Sequence, residues 1–182
     1  MKNFTVPTRE EVSENNQALF DNLKKGVGMV PNLYAYFAKS ETALGDYLTL
    51  QSRKSSLKAK EKEVINLVVS QVNNCAYCLA AHTAIGKMNG FTDEQILEIR
   101  TGEASFDSKL DALASFTKDI IVNRSKPSAE ATEALFNAGY TEESLVDVIM
   151  LIGDKIITNF IHGTTQVPID FPAAPALETI NY

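Results

Sequence analysis

The segment EVINLVVSQVNNCAYCLAAH, residues 63–82, is the part of this 182-residue chain that is most informative about its fold. Its first half carries apolar residues at helical spacing, namely Val64, Ile65, Val68, Val69 and Val72. The pair Asn73-Asn74 breaks that helix, and a second helix follows that ends at Asn89-Gly90, a common C-terminal signal. The stretch therefore predicts consecutive helices over 57–73 and 75–88.

Helical patterns continue through most of the remaining sequence. Thr8 is a predicted N-cap, and Thr92 with Gln95 forms a predicted capping box. No segment shows a convincing alternation of a strand, and the prolines after Val167 exclude a helix from the tail. We therefore predict an all-α fold with further helices over 9–23, 31–40, 41–53, 93–100, 107–123, 129–137 and 141–165.

A weak internal repeat suggests how these helices are organised. Gly90-Phe-Thr-Asp-Glu-Gln-Ile resembles Gly139-Tyr-Thr-Glu-Glu-Ser-Leu at a shift of 49 residues. The alternative is that any capped helix after a glycine favours such residues. We predict a single domain over 1–182, with an N-terminal helical arm (1–55), a motif-bearing three-helix unit (56–105), a second three-helix unit (106–166) and an extended tail (167–182).

Composition limits the classes of function. The chain is 45% hydrophobic and 22% charged, with a formal net charge of −6. This charge argues against nucleic acid or an anionic membrane as a partner, because both require a basic face. Two cysteines are too few for a secreted disulfide scaffold, and the polar N-terminus does not resemble a signal peptide. We therefore expect a cytoplasmic protein.

Two cysteines and a histidine form the candidate chemical centre. Cys75 and Cys78 are three residues apart and His82 follows four later, so one helix presents all three on one face. The start of a helix stabilises a thiolate and lowers the pKa of a thiol. A disulfide across two residues constrains the unfolded chain little, which favours reversible redox chemistry.

Other interpretations of the three residues remain open. Zinc is the main one, with Cys75, Cys78, His82 and His162 as ligands, although one helix already holds three of them. A second alternative is a pair of buried core cysteines. Attachment of c-type haem is excluded, because Leu79 stands where a histidine is required. We favour no metal and no cofactor, and we interpret His162 as a polar surface residue.

Glu63 is the second candidate for a chemical role. It lies beside the apolar stripe of the helix that precedes the cysteines. If the two helices form an antiparallel hairpin, Glu63 faces the segment with Cys78 and His82. A carboxylate near buried apolar side chains has a raised pKa and suits proton transfer. The alternative is a first-turn glutamate that points to solvent.

The spacing of Glu63, Cys75, Cys78 and His82 resembles the motif of AhpD-like alkylhydroperoxidases, part of the carboxymuconolactone decarboxylase superfamily. Two further segments, Pro31-Asn-Leu33 and Asn159 to Asp170-Phe-Pro, look like the branch of peroxidase-related proteins. The resemblance implies an all-helical fold, a homo-oligomer such as a trimer or hexamer, and a thiol-dependent peroxidase that reduces hydroperoxides.

The resemblance also implies roles for the four residues. Cys78 is the peroxidatic thiolate, Cys75 resolves its sulfenic acid to a disulfide, and His82 with Glu63 relays protons. An external dithiol or lipoyl-type reductant restores the thiols. Tyr77 stands where the family prototype has a second histidine, and a phenol is no base at neutral pH. The alternatives are a decarboxylase-like lyase, typically without the cysteine pair, and a non-catalytic zinc-binding helical module.

Overall fold

A computed structural model of the chain describes residues 3–177. Within that range all regular secondary structure is helical and no strand is present, so the predicted all-α class is confirmed. No helix in the described part is long and apolar enough to cross a membrane. The helices are α1 (Glu14–Val27), α2 (Asn32–Phe37), α3 (Ala43–Ser52), α4 (Ala59–Val72), α5 (Ala76–Met88), α6 (Asp93–Thr101), α7 (Ser108–Val122), α8 (Ala129–Asn137) and α9 (Glu142–Thr165).

The first helix begins later than predicted. Thr8 precedes only a 3-10 turn, Arg9–Glu11, after which Val12 is extended with φ −113° and ψ 162°. Ser13 is the true N-cap of α1, since its hydroxyl accepts a hydrogen bond from the backbone N–H of Asn16 at 3.3 Å. The predicted helix over 9–23 is therefore wrong at its start, because two capping residues lie five positions apart and the second one begins the long helix.

The other predicted helices are confirmed, with ends that shift by at most three residues. The capping box before α6 is present: Thr92 Oγ1 accepts from the backbone N–H of Gln95 at 3.2 Å, and Gln95 Oε1 accepts from that of Thr92 at 3.0 Å. The tail from 166 to 177 has no helix or strand, as its prolines predict.

The described residues group into two compact units, which we treat separately. The first contains residues up to 54 together with 160–170. In it, Tyr47 stacks on Phe37 at a centroid distance of 4.6 Å and meets Tyr34 edge-on at 5.7 Å. The backbone N–H of Asn32 donates to Asp170 Oδ2 at 2.7 Å. The two segments that resemble peroxidase-related proteins are therefore in contact.

The second unit contains residues 55–159 and residues 171–177 of the tail. Its central element is α4, which packs against α5, α6 and α7. The apolar stripe of α4 is the core, with Val64, Ile65, Val68 and Val69 fully buried. Because complete burial of such a side chain contributes about 1.5–3 kcal/mol, this stripe fixes the helix that also carries Glu63.

Two backbone conformations recur in this unit. Asn74 after α4 and Arg124 after α7 both have φ of 51°. Gly90 before α6 and Gly139 before α9 have φ of 87° and 88°. Glycine suits both of the latter positions, because a left-handed backbone disfavours a side chain. The repeat and the boundaries of its two copies stay a prediction.

Candidate dithiol site

The turn between α4 and α5 places the two cysteines. Asn74 adopts a left-handed backbone, which asparagine tolerates better than most residues, and this reverses the chain. Cys75 then becomes the N-cap of α5, and its sulfur accepts a hydrogen bond from the backbone N–H of Cys78 at 3.4 Å. Both sulfurs therefore lie at the amino end of α5.

The two sulfurs face each other inside the protein. Cys75 Sγ and Cys78 Sγ are 2.7 Å apart, with Cys75 as the donor. Both thiols are free, and the two residues are only 2% and 3% exposed. The sulfurs are therefore placed so that they can bond to each other without a large movement of the backbone.

The surroundings make the two thiols unequal. The hydrogen bond from Cys75 is the main reason that the pKa of Cys78 falls to about 7, against the opposing effect of burial. The positive charge of Lys155 and the polar side chains of Asn159 and Thr158 act in the same direction. The pKa of Cys75 is raised, because that thiol donates the hydrogen bond and is buried. Cys78 is therefore the thiol that ionises.

Glu63 and His82 form a buried pair beside the dithiol helix. His82 Nδ1 lies 2.8 Å from Glu63 Oε2, and Glu63 Oε1 accepts a hydrogen bond from Asn66 Nδ2 at 3.0 Å. Both side chains are buried, and His82 is one helical turn from Cys78 on α5. The hairpin brings Glu63 to His82, so the alternative of a glutamate in solvent is wrong.

The expected raised pKa of Glu63 is wrong. Burial acts to raise that pKa, but the charge and hydrogen bond of His82, together with Asn66 and Lys155, outweigh it and lower the pKa. The pKa of His82 is also lowered, by burial and by Lys155, despite the opposite effects of Glu63 and Asp154. At neutral pH Glu63 is thus a carboxylate and His82 a neutral imidazole.

These protonation states fix the role of each imidazole nitrogen. A carboxylate only accepts hydrogen bonds, so Nδ1 of His82 carries the proton that Glu63 Oε2 accepts. The other nitrogen, Nε2, therefore has a free lone pair and is the basic atom of the ring. His82 is able to take up a proton at Nε2 while Glu63 holds the ring.

Sequence reasoning missed the contribution of α9 to this site. Lys155, Thr158 and Asn159 are buried on α9 and all act on Cys78. The signal that points to them is a polar stripe at positions 154, 155, 158, 159 and 162 within a largely apolar helix. A similar stripe on α4, at positions 63, 66, 70 and 73, contains Asn66 as well as Glu63.

His162 differs from its prediction. It is 4% exposed rather than a surface residue, and burial lowers its pKa against a hydrogen bond with the backbone of Val167. It belongs to the first unit, whereas Cys75, Cys78 and His82 belong to the second.

The zinc alternative is not supported by the positions of the side chains. No group of three or more His, Cys, Asp or Glu residues between 3 and 177 is placed to hold a metal ion. Two thiolates on a tetrahedral zinc, with Zn–S bonds of about 2.3 Å, lie roughly 3.7 Å apart. The sulfurs of Cys75 and Cys78 are 2.7 Å apart in this structure, which is shorter than that separation.

Tyr77, between the two cysteines, is a packing residue in this structure. Its ring is buried and meets Phe171 of the tail edge-on, at a centroid distance of 5.7 Å and an interplanar angle of 83°. The tail is held again where Arg100 Nη1 donates to the carbonyl of Pro175 at 2.8 Å. Residues 171–175 therefore form a strap next to the amino end of α5.

The chain is similar to known proteins in sequence and in fold. The carboxymuconolactone decarboxylase family profile matches residues 36–118. The uncharacterized protein YdfG of Bacillus subtilis (strain 168) is 28% identical over 103 residues, which span 56% of this chain and 70% of YdfG.

Two solved structures share the fold over most of both chains. One is the alkylhydroperoxidase AhpD core of an uncharacterized peroxidase-related protein from Ralstonia eutropha JMP134, with a TM-score of 0.79, 19% identity and 88% of each chain covered. The other is a Cys-to-Ala variant of the debrominase Bmp8 in complex with 2,3,4-tribromopyrrole, with a TM-score of 0.76, 14% identity and coverage of 93% of this chain and 92% of Bmp8. The family profile matches fewer than half of the residues of this chain, and the two solved structures show that the chain shares their fold.

Proposed function

We propose that the protein is a thiol-dependent peroxidase that reduces alkyl hydroperoxides through Cys75 and Cys78. The observation that carries this proposal is the unequal dithiol. Cys78 has a pKa of about 7 and receives a hydrogen bond from Cys75 across 2.7 Å. A thiolate at neutral pH attacks a peroxide, and a neighbouring thiol resolves the product.

The first half-reaction uses Cys78, His82 and Glu63. His82 Nε2 accepts the proton of Cys78, and Glu63 stabilises the resulting imidazolium through Nδ1–H. The thiolate attacks the terminal oxygen of the hydroperoxide, so an S–O bond forms while the O–O bond breaks. The electron pair of the O–O bond leaves on the alkoxide, which takes the proton from His82 and departs as an alcohol. Cys78 is left as a sulfenic acid.

The second half-reaction regenerates the site. The Cys75 sulfur attacks the Cys78 sulfur, a disulfide forms, and the hydroxyl group leaves as water with the proton of Cys75. The 2.7 Å between the sulfurs supports this step, because little movement is needed. An external dithiol, of the lipoyl type, then supplies two electrons and two protons. One hydroperoxide and one dithiol become one alcohol, one water and one disulfide.

The proposal includes a cellular setting and an assembly. A cytoplasmic location provides the reducing conditions that such a dithiol needs between turnovers. A second copy of the chain is the proposed partner of α9, whose outer face is apolar. Its exposed large hydrophobic residues include Val146, Ile149, Met150 and Ile157. Monomeric proteins rarely expose a continuous apolar face of this kind.

The decisive experiment compares wild type with Cys78→Ser and Cys75→Ser. Consumption of tert-butyl hydroperoxide with dihydrolipoamide as reductant is expected to disappear in Cys78→Ser. Cys75→Ser is expected to react once and to retain an oxidised Cys78. After one equivalent of peroxide, mass spectrometry of the wild type should show a Cys75–Cys78 disulfide. Peroxide consumption by Cys78→Ser at the wild-type rate would refute the proposal.

The same preparations test the other reactions. A lyase would remain active when both cysteines are replaced by alanine, since its chemistry does not need them. Bmp8 is a debrominase of similar fold. Bromide release from 2,3,4-tribromopyrrole, in excess over peroxide reduction and dependent on Cys78, would replace the peroxidase proposal with a reductive dehalogenase.

A further inference from the structure

Asn159 has a fixed orientation beside the candidate nucleophile. It lies on α9, is 3% exposed, and its Oδ1 accepts a hydrogen bond from Asn73 Nδ2 at 2.9 Å. Asn73 is the C-cap of α4, directly before the turn that leads to Cys75. Because Asn73 occupies the oxygen of the Asn159 amide, rotation of that amide by half a turn would lose this hydrogen bond. The NH₂ group of Asn159 is thereby held on the side of the amide that faces away from Asn73.

The NH₂ group of Asn159 lacks an acceptor placed for a full hydrogen bond. The Asn159 side chain interacts with Cys78 and favours its thiolate. Nevertheless, within the described residues Nδ2 has no partner that meets the geometry of a full hydrogen bond. A buried N–H without an acceptor destabilises the folded chain. An oxygen atom bound at the sulfur would supply the missing acceptor.

We propose that Nδ2 of Asn159 binds the oxygen atom that Cys78 receives from the peroxide, and that Asn73 is the positioning residue for this donor. The inference rests on the proposed peroxidase function. The peroxide oxygen accepts a hydrogen bond from Nδ2 while the S–O bond forms and the O–O bond breaks. After the alkoxide has left, the oxygen of the sulfenic acid keeps that hydrogen bond until Cys75 displaces it as water.

The alternative is that Asn159 only stabilises the thiolate of Cys78 and so changes the pKa of that thiol. We call such a group a tuning residue. The two roles predict different kinetics, because a tuning residue changes the thiolate population and an oxygen donor changes oxygen transfer itself. Methyl methanethiosulfonate reacts with the same sulfur and transfers no oxygen. A comparison of this reagent with hydrogen peroxide therefore separates the two roles, and both rates are measured across the pH range that spans the Cys78 pKa.

The experiment uses Cys75→Ser as the background, so that oxidised Cys78 accumulates and is trapped with dimedone for mass spectrometry. Adding Asn159→Ala is expected to reduce the limiting rate with hydrogen peroxide at high pH by on the order of 10- to 100-fold, the effect of losing one hydrogen bond to a group that carries partial charge. The limiting rate with methyl methanethiosulfonate should change by less than about twofold, since that reaction needs no such donor. Asn73→Ala should give a smaller loss of the same kind.

Two controls keep the result interpretable. Asn16→Ala removes another buried asparagine, which belongs to the first unit and donates to the carbonyl of Ser40 at 3.0 Å, and it should leave both rates unchanged. Asn159→Leu has a similar shape without a hydrogen-bond donor, and it replaces the alanine variant if that one does not fold. Equal loss of both rates, or recovery of the peroxide rate at high pH, would overturn the proposal for Asn159. Failure of the peroxidase function would appear separately, as a parent Cys75→Ser protein that does not react with peroxide.

Discussion

Replacement of Cys75 by alanine isolates the interaction that makes Cys78 acidic. The hydrogen bond from Cys75 is the largest influence that lowers the pKa of Cys78 to about 7, and burial opposes it. Cys75→Ala removes the donor and leaves the sulfur of Cys78 buried. The pKa of Cys78 should therefore rise, and the thiolate fraction at neutral pH should fall.

The size of the effect follows from the strength of a hydrogen bond to a charged group. Such a bond contributes about 1.5–3 kcal/mol, and 1.36 kcal/mol corresponds to one pKa unit. The pKa of Cys78 should thus be about one to two higher in Cys75→Ala. At pH 7 the thiolate fraction falls from about one half to between roughly one tenth and one hundredth.

Nucleophilicity changes in the opposite direction. A thiolate of higher pKa is intrinsically more reactive, with a Brønsted coefficient of about 0.4–0.5. Fully ionised Cys78 should therefore react about 2.5 to 10 times faster in Cys75→Ala than in the wild type. The two pH–rate profiles should cross, with the wild type faster near pH 7 and the variant faster at high pH.

The assay is the rate of modification of Cys78 by methyl methanethiosulfonate, followed by mass spectrometry as a function of pH. Cys75→Ser is the matched control, because its hydroxyl group retains a donor of similar position. It should fall between the wild type and Cys75→Ala. Profiles of Cys75→Ala and wild type with the same midpoint would refute the assignment of Cys75 as donor, and so would equal shifts in the alanine and serine variants.

Three further predictions test the neighbouring features. Glu63→Gln removes the carboxylate that stabilises protonated His82 and should lower kcat/KM for peroxide by on the order of 10²-fold or more, whereas an unchanged value would exclude the relay. Phe171→Ala should reduce the free energy of unfolding by about 0.5–1.5 kcal/mol, because the ring pair with Tyr77 is lost. It should also speed chemical modification of the cysteines severalfold, and an unchanged modification rate would show that the strap does not limit access of reagents to the cysteines. Val146→Glu places a charge on the apolar face of α9 and should reduce the mass measured by light scattering towards the 20.0 kDa of one chain, which equal masses for variant and wild type would contradict.

The sequence predicted the helices well because their signals are local. The hairpin of α4 and α5 follows from an apolar stripe, an asparagine pair and a C-terminal glycine, all within about one to two helical turns of the positions they determine. The start of α1 was less predictable, since Thr8 and Ser13 are both good N-caps. Only the extended conformation of Val12 between them decides which one begins the long helix.

The pKa shifts within the site were less predictable than the identity of its residues. The spacing of Glu63, Cys75, Cys78 and His82 is visible in the sequence, and the structure brings all four into the second unit. The direction of the Glu63 pKa is not visible, because burial and partners act oppositely and the partner Lys155 is 92 positions away in sequence. Long-range partners of this kind are supplied by tertiary packing alone.

The lowered pKa of His82 keeps its imidazole neutral, which the proposed role as proton acceptor requires. Glu63 is a carboxylate, and Lys155 acts on the surrounding groups as a positive charge. Addition of a net charge to a buried site is costly, whereas transfer of a proton within the site adds none. If His82 were protonated at rest, it would have no lone pair to accept the proton of Cys78. A neutral His82 held by Glu63 has a lone pair at Nε2, and in the proposed reaction this atom takes the proton of Cys78 without adding charge to the site.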